Sequence, residues 1–181
     1  IDFKEDSFLV LEPGRIRKAV EQCALALLGF AQYVLRGFPF RHIDAGCDDG
    51  FRVGILQDRA FGFYYAEDLD AFATAGATLI PIDSLHDTTL PELDALFIGG
   101  GFPEVLAPQL AANLGLRLAL KEAIEQGLPC YAECGGLMYL ARSITWQGQQ
   151  FPMVGALPAD IVMHRKPVGR GYVHLEETDA A

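Results

Sequence analysis

Cys134 stands in YAECGGLMYL, residues 131–140, directly after Glu133 and directly before Gly135 and Gly136. A cysteine placed where a strand turns sharply into a helix is held above the sheet, and only small neighbours fit around so tight a turn. A thiolate there faces the amino end of the helix, whose dipole and free N–H groups favour the anion. The N–H of Gly135 would then point at an oxyanion growing on an attacked carbonyl. The competing reading is a small buried hydrophobe, the usual fate of a free cysteine, and Cys130, four residues earlier within the strand, keeps that reading.

A second glycine turn, GGGFPE at 99–104, offers three kinds of service. It could supply another oxyanion donor, it could form an anion-binding nest of consecutive N–H groups, or it could be a plain strand-to-helix turn with Pro103 in the first helical turn. It is not a Walker A loop, because G-x-x-x-x-G-K-[ST] occurs nowhere in the chain. A cysteine acting on an amide also needs a basic partner. The four histidines, His42, His86, His164 and His174, stand in no telling pattern and read as surface or packing residues, His174 being the best placed of them. The aromatic cluster AFGFYY at 60–65 reads first as core and second as the lining of a groove or a seat for a neighbouring domain.

The elements that would carry these residues alternate. RVGILQ at 52–57 has the length of a buried strand, and helical periodicity from about Tyr64 to Ala75 stops at Gly76. ATLIPID and ELDALFIGGG read as strands, APQLAANLGLRLALKEAIEQG as one or two helices closing at Gly127, LPCYAEC as a strand, and LMYLARSI as a helix. Apolar strands alternating with helices predict an α/β fold, a mostly parallel sheet flanked by helices on both faces. Ligands of such sheets sit beyond the carboxyl ends of the strands, and GGGFPE and ECGG both fall there. After Trp146 the short extended pieces FPMVGALPADIVM and GYVHLEE predict a small antiparallel region or edge strands.

Ahead of this unit, Pro13 to Leu35 has helical spacing, and GFPFRHIDAGCDDG at 37–50 reads as a connector, which puts a domain boundary near Gly50. The apolar run Cys23 to Phe38 is interrupted by glycine and arginine and reads as a buried helix, not a membrane span. The chain has 181 residues, 51% of them hydrophobic, with a net charge of −10 and no long Lys/Arg run, so neither disorder nor a general grip on nucleic-acid phosphates is expected. Four widely spaced cysteines make no disulfide scaffold or zinc site and suit a reducing, cytoplasmic setting. A first residue of Ile1, not Met, leads to the expectation of an excised domain.

DRAFGFYYAEDLDAF, LIPIDSLHDTTLPELDALFIGGGFPE and YAECGGLMYL, in that order from about Arg52 to Glu177, resemble the C-terminal glutaminase domain of cobyrinic acid a,c-diamide synthases, in the triad-type (class I) glutamine amidotransferase branch shared with cobyric acid synthase. The resemblance implies a flavodoxin-like, three-layer domain over residues 51–181, truncated at its C-terminus, with residues 1–50 the tail of a preceding synthetase domain plus linker. It implies that Cys134 attacks the side-chain amide of glutamine to give a thioester and ammonia, with oxyanion donors at Gly100, Gly101 and Gly135. The enzyme would be a glutamine-hydrolysing carbon–nitrogen ligase. Its partners would be glutamine and, through the synthetase domain, a tetrapyrrole acid acceptor, with homodimerisation left open and no nucleic acid or membrane. No metal is expected in this stretch, and ATP and magnesium are expected in the synthetase domain. The family's catalytic histidine lies in a G-H-E-F-H-like motif that His174 does not match and that is expected beyond Ala181. The alternatives are a non-catalytic amidotransferase-like binding or scaffold domain, and a cysteine amidase with another substrate.

Overall fold

A computed structural model of the chain describes residues 50–165. Residues 50–163 belong to one compact unit, and His164 and Arg165 fall to a second. The readings for the helix from Pro13, the connector, His42 and His174 and the boundary near Gly50, together with GYVHLEE, lie outside the described residues or at their edge.

Four parallel strands form the main sheet: β1 (Arg52–Leu56), β3 (Thr78–Ile82), β4 (Ala95–Ile98) and β6 (Cys130–Ala132), in the order β3-β1-β4-β6. In chain order that is second, first, third, fourth, the flavodoxin-like winding. β1 and β4 are the inner strands and are almost wholly buried, which is why their sequences are apolar on both faces and not alternating.

The period of two still sorts their side chains into two cores. Val53, Ile55, Ala95 and Phe97 pack with Phe72 of α1 (Ala66–Thr74) on one face. Leu56, Leu96 and Ile98 pack on the other with Leu110 of α2 (Ala107–Ala112), Leu116 and Leu120 of α3 (Leu114–Glu125) and Tyr139 of α4 (Gly135–Leu140). The result is three layers, as the alternating pattern predicts.

Helix limits follow local chemistry. α1 ends at the positive φ of Gly76, 81°, where a side chain would be strained. Asn113 splits the long helical stretch in two: its side-chain oxygen accepts from Leu116 N–H at 3.3 Å, while its amide donates to the Ser84 and Asp87 carbonyls at 2.9 and 2.7 Å. Pro103 is not in a first helical turn as expected, because residues 102–106 form turns and α2 begins later, at Ala107, with Pro108 in its first turn.

The helix expected over LMYLARSI also ends early, at Leu140. Ala141 is extended, and Ser143–Trp146 is strand β7, paired antiparallel with β8 (Gln149–Pro152) across a two-residue turn in which Gln147 and Gly148 both have positive φ. β9 (Asp160–Val162) runs parallel to β7, so this small sheet is mixed, not purely antiparallel. Arg142 and Ser143 both bond to the Asp160 carboxylate and fix β9 in place.

Candidate active site

The inner strands β1 and β4 run out beside each other, and the chain continues each into a short strand above the sheet: β2 (Phe61–Phe63) after β1, and β5 (Gly100–Gly101) after β4. These two pair antiparallel. Tyr64 braces the junction, its hydroxyl donating to the Leu56 carbonyl at 2.5 Å and accepting from the Gly99 N–H at 3.2 Å. Burial pushes the Tyr64 hydroxyl up to about 12, the nearby Asp58 and Glu133 charges adding to that against the Gly99 N–H, so it remains a neutral strut. Asp58 shapes the turn before β2 by accepting from the N–H groups of Ala60, Phe61 and Ser84 at 2.7, 3.2 and 2.6 Å.

The neighbouring strand β6 turns directly into α4, and Cys134 is the turn. Its φ of 48° and ψ of −114° lie where L-residues are rarely found, a strain costing about 1–3 kcal/mol. The sulfur is exposed, while Gly135 and Gly136 behind it are buried.

Backbone contact explains both glycines. A Cβ on Gly135 would stand 2.8 Å from the Gly101 carbonyl oxygen, and one on Gly136 would stand 2.3 Å from that of Ile98. The Gly136 N–H donates to Gly99 and Glu133 carbonyls, at 3.1 and 2.8 Å. Gly135, the first helical residue, has no intrahelical acceptor for its own N–H.

The two glycine turns therefore meet as the sequence predicts. A Cβ at Gly100 would lie 3.7 Å from the Cys134 Cβ, and both residues line a cavity of about 450 Å³ with Gly62, Phe63, Tyr64, Tyr65 and Glu133. Gly101 packs behind the pocket, against Ala60 and Gly135. Gly99, Gly100 and Gly101 have no positive φ and the last two are in a strand, so these three glycines form no left-handed nest.

AFGFYY divides between its two readings. Phe61 is core, against Tyr139 with ring centroids 5.2 Å apart, whereas Phe63 and Tyr65 are exposed at the pocket mouth. Cys130 is an inert thiol, pushed up to about 12 by burial. His86 is exposed and paired with Asp83 at 2.8 Å, and it does not line the cavity. One pocket residue escaped sequence reasoning, Glu133, whose signal was its place beside Cys134; Tyr64 falls within the aromatic cluster read as a groove lining, but nothing outside the tertiary structure marks its hydroxyl as the brace. Among the described residues no group of His, Cys, Asp and Glu could hold a metal, and no helix is long and apolar enough to cross a membrane.

A flavodoxin-like sheet with an exposed, strained cysteine on a strand-to-helix elbow, facing a second glycine turn across a pocket, defines the class: an α/β domain with nucleophile-elbow geometry. The chain belongs to the CobB/CobQ-like glutamine amidotransferase domain family, whose model matches residues 52–181.

It is 43% identical over 129 residues to the cobyrinate a,c-diamide synthase of Magnetococcus marinus, covering 71% of this chain and 28% of that protein. It is 51% identical over 123 residues to the protein of that name from Synechocystis, 67% and 25% of the two chains, and 50% identical over 132 residues to that of Listeria innocua, 71% and 29%. The chain thus spans about a quarter of the length of these curated relatives. Among solved structures, a Listeria monocytogenes protein described as a peptidase E superposes with a TM-score of 0.49 at 17% identity, over 61% of this chain and 64% of that one.

Proposed function

We propose that this chain is the glutaminase part of an ATP-dependent amide synthase that acts on a tetrapyrrole-derived acid, as the names of its relatives suggest. Cys134 is the nucleophile. Its sulfur attacks the side-chain amide carbon of glutamine, the N–H groups of Gly135 and of the Gly100–Gly101 segment hold the oxyanion, and the carbon–nitrogen bond breaks as the nitrogen takes up a proton and leaves as ammonia. Water then cleaves the thioester to glutamate and restores the thiol. Ammonia passes to a synthetase half that uses ATP and magnesium to activate the acceptor carboxylate, in a cytoplasmic setting.

The observation that carries this reading is the strained backbone of the exposed Cys134, facing Gly100 across a cavity in a chain of this family. Strain of that kind persists where the fold has a use for it. A non-catalytic amidotransferase-like domain is the second reading, favoured because no histidine among the described residues lines the pocket.

The test is glutamate release from glutamine by the longest natural chain that carries this sequence. Cys134→Ala should lower it by roughly a thousandfold or more, yet leave ATP-dependent amidation of cobyrinic acid from added ammonium salts intact. Undiminished glutamate release by Cys134→Ala would refute the assignment. Absence of release from the wild-type protein would support the non-catalytic domain.

A further inference from the structure

We infer that Glu133 is the specificity-determining residue of the pocket, the carboxylate that receives the α-ammonium of the amino-acid amide attacked at Cys134. The inference rests on the glutaminase reading and deepens it. Consecutive residues of a strand point to opposite faces. Glu133 and Cys134 lie past the end of β6, in the turn made by the positive φ of Cys134, so that alternation no longer separates them and both line one cavity.

Glu133 is held in place through its main chain: its N–H donates to the Ile98 carbonyl at 3.1 Å, and its carbonyl accepts from the Gly136 N–H at 2.8 Å. The side chain has only one short tether, the Tyr131 hydroxyl at 3.4 Å.

Among the described residues the rest of the lining is glycine, aromatic rings and the cysteine, and Glu133 is the single carboxylate there, with no Lys, Arg or His beside it. A pocket for a neutral amide alone has no use for a half-buried carboxylate, whose desolvation is unfavourable. Burial first, then the negative Asp68 close by, push the Glu133 carboxyl above its ordinary range, against the Tyr131 hydrogen bond. Among the described residues no Lys, Arg or His forms an ion pair with Glu133 or Asp68. A cation arriving with the substrate would answer this excess of negative charge, and the aromatic side chains Phe63 and Tyr65 of the same lining suit an ammonium as well. Glutamine carries such an ammonium at the far end of its side chain from the amide; a simple aliphatic amide does not.

The experiment compares three electrophiles on Cys134 in the longest natural chain, wild-type and Glu133→Gln, read by mass spectrometry of the modified peptide. 6-Diazo-5-oxo-L-norleucine carries the ammonium, its N-acetyl derivative lacks it, and iodoacetamide reports thiol reactivity alone. Glu133→Gln should slow labelling by the first roughly tenfold or more. It should slow neither the N-acetyl reaction nor iodoacetamide, neither of which brings an ammonium to the pocket. Glu133→Asp should recover part of the diazo rate.

An unchanged diazo rate in Glu133→Gln would overturn the inference. So would a parallel fall with all three reagents, which would mean a disturbed elbow and not lost recognition. Should wild-type Cys134 react with iodoacetamide but with neither diazo compound, it is the glutaminase reading itself that fails.

Discussion

Replacing Gly136 by alanine tests whether main-chain contact holds the Cys134 elbow. The added methyl would stand 2.3 Å from the Ile98 carbonyl oxygen, 2.7 Å from its Cγ2 and 2.9 Å from its carbonyl carbon. Ile98 ends an inner strand and is wholly buried, so it cannot yield as a surface side chain would. Restoring a contact of 3.4 Å requires α4 and β4 to part by about 1 Å. That displacement stretches the Gly136 N–H to Gly99 carbonyl bond from 3.1 Å past any useful length. Overpacking costs about 1–3 kcal/mol and the weakened hydrogen bond about 1, offset by about 1 for the better helix propensity of alanine, for a net loss of about 1–3 kcal/mol. The assay is urea unfolding, with Gly62→Ala as control, because a methyl on Gly62 meets nothing closer than 3.7 Å and its φ is not positive. Glutamate release should fall further than stability, on the order of a hundredfold, since the same shift misplaces the sulfur. A Gly136→Ala protein within about 0.5 kcal/mol of wild type, the spread of ordinary surface changes, would refute the idea that this contact sets the elbow.

Three other outcomes follow from the same geometry. Cys134→Gly should raise stability by about 1 kcal/mol or more over Cys134→Ala, because only glycine relaxes at a φ of 48°; equal thermal midpoints for the two variants would show the strain to be absent. Asp58→Ala removes the acceptor for three backbone N–H groups and should cost about 2–4 kcal/mol in urea unfolding, with Asp58→Asn losing less. Burial first, then Glu67, raise the Asp68 carboxyl above its ordinary value. For a carboxyl raised on folding, the charged form is the unfavourable one, so the penalty is present at pH above the folded value and vanishes below the unfolded one. Asp68→Asn should therefore stabilise the domain at neutral pH, and the gain should disappear as pH falls below the ordinary carboxyl range; a gain that persists unchanged in acid would point to packing.

The sheet was legible because its strands are short, apolar on both faces and closed by glycines whose positions coincide with real chain reversals, Gly76 and Gly127 among them. Joining GGGFPE to ECGG needed only the rule that parallel strands deliver their carboxyl ends to one rim, and the Gly100–Cys134 approach bears that out. Other features depend on contacts remote in sequence. Tyr64 reads as one more aromatic of a cluster until Leu56 and Gly99 converge on its hydroxyl. The end of α4 at Leu140 is equally hidden, since Ala141 and Arg142 are good helix formers. It is set from outside, by Arg142 N–H bonding to Ala159 and by the pairing of β7 with two strands that come later in the chain. Local propensity there loses to the ladder.

Three backbones meet at the candidate site, and that meeting separates what the sequence can vary from what it cannot. A methyl on Gly101 would lie 1.9 Å from the Ala60 carbonyl oxygen, one on Gly135 would press on Gly101, and one on Gly136 on Ile98. β2, β5 and α4 are thus stacked main chain against main chain, and the placement of Cys134 relative to Gly100 follows from glycine positions more than from any side-chain interaction. The side chains at the mouth are under no such constraint: Phe63 and Phe102 stand edge to face with centroids 5.2 Å apart, and both are exposed. Chemistry that needs a fixed nucleophile and fixed N–H donors is best built on the rigid part. Recognition that must differ between substrates or partners can then be changed at Glu133 and the aromatic rim without moving the elbow.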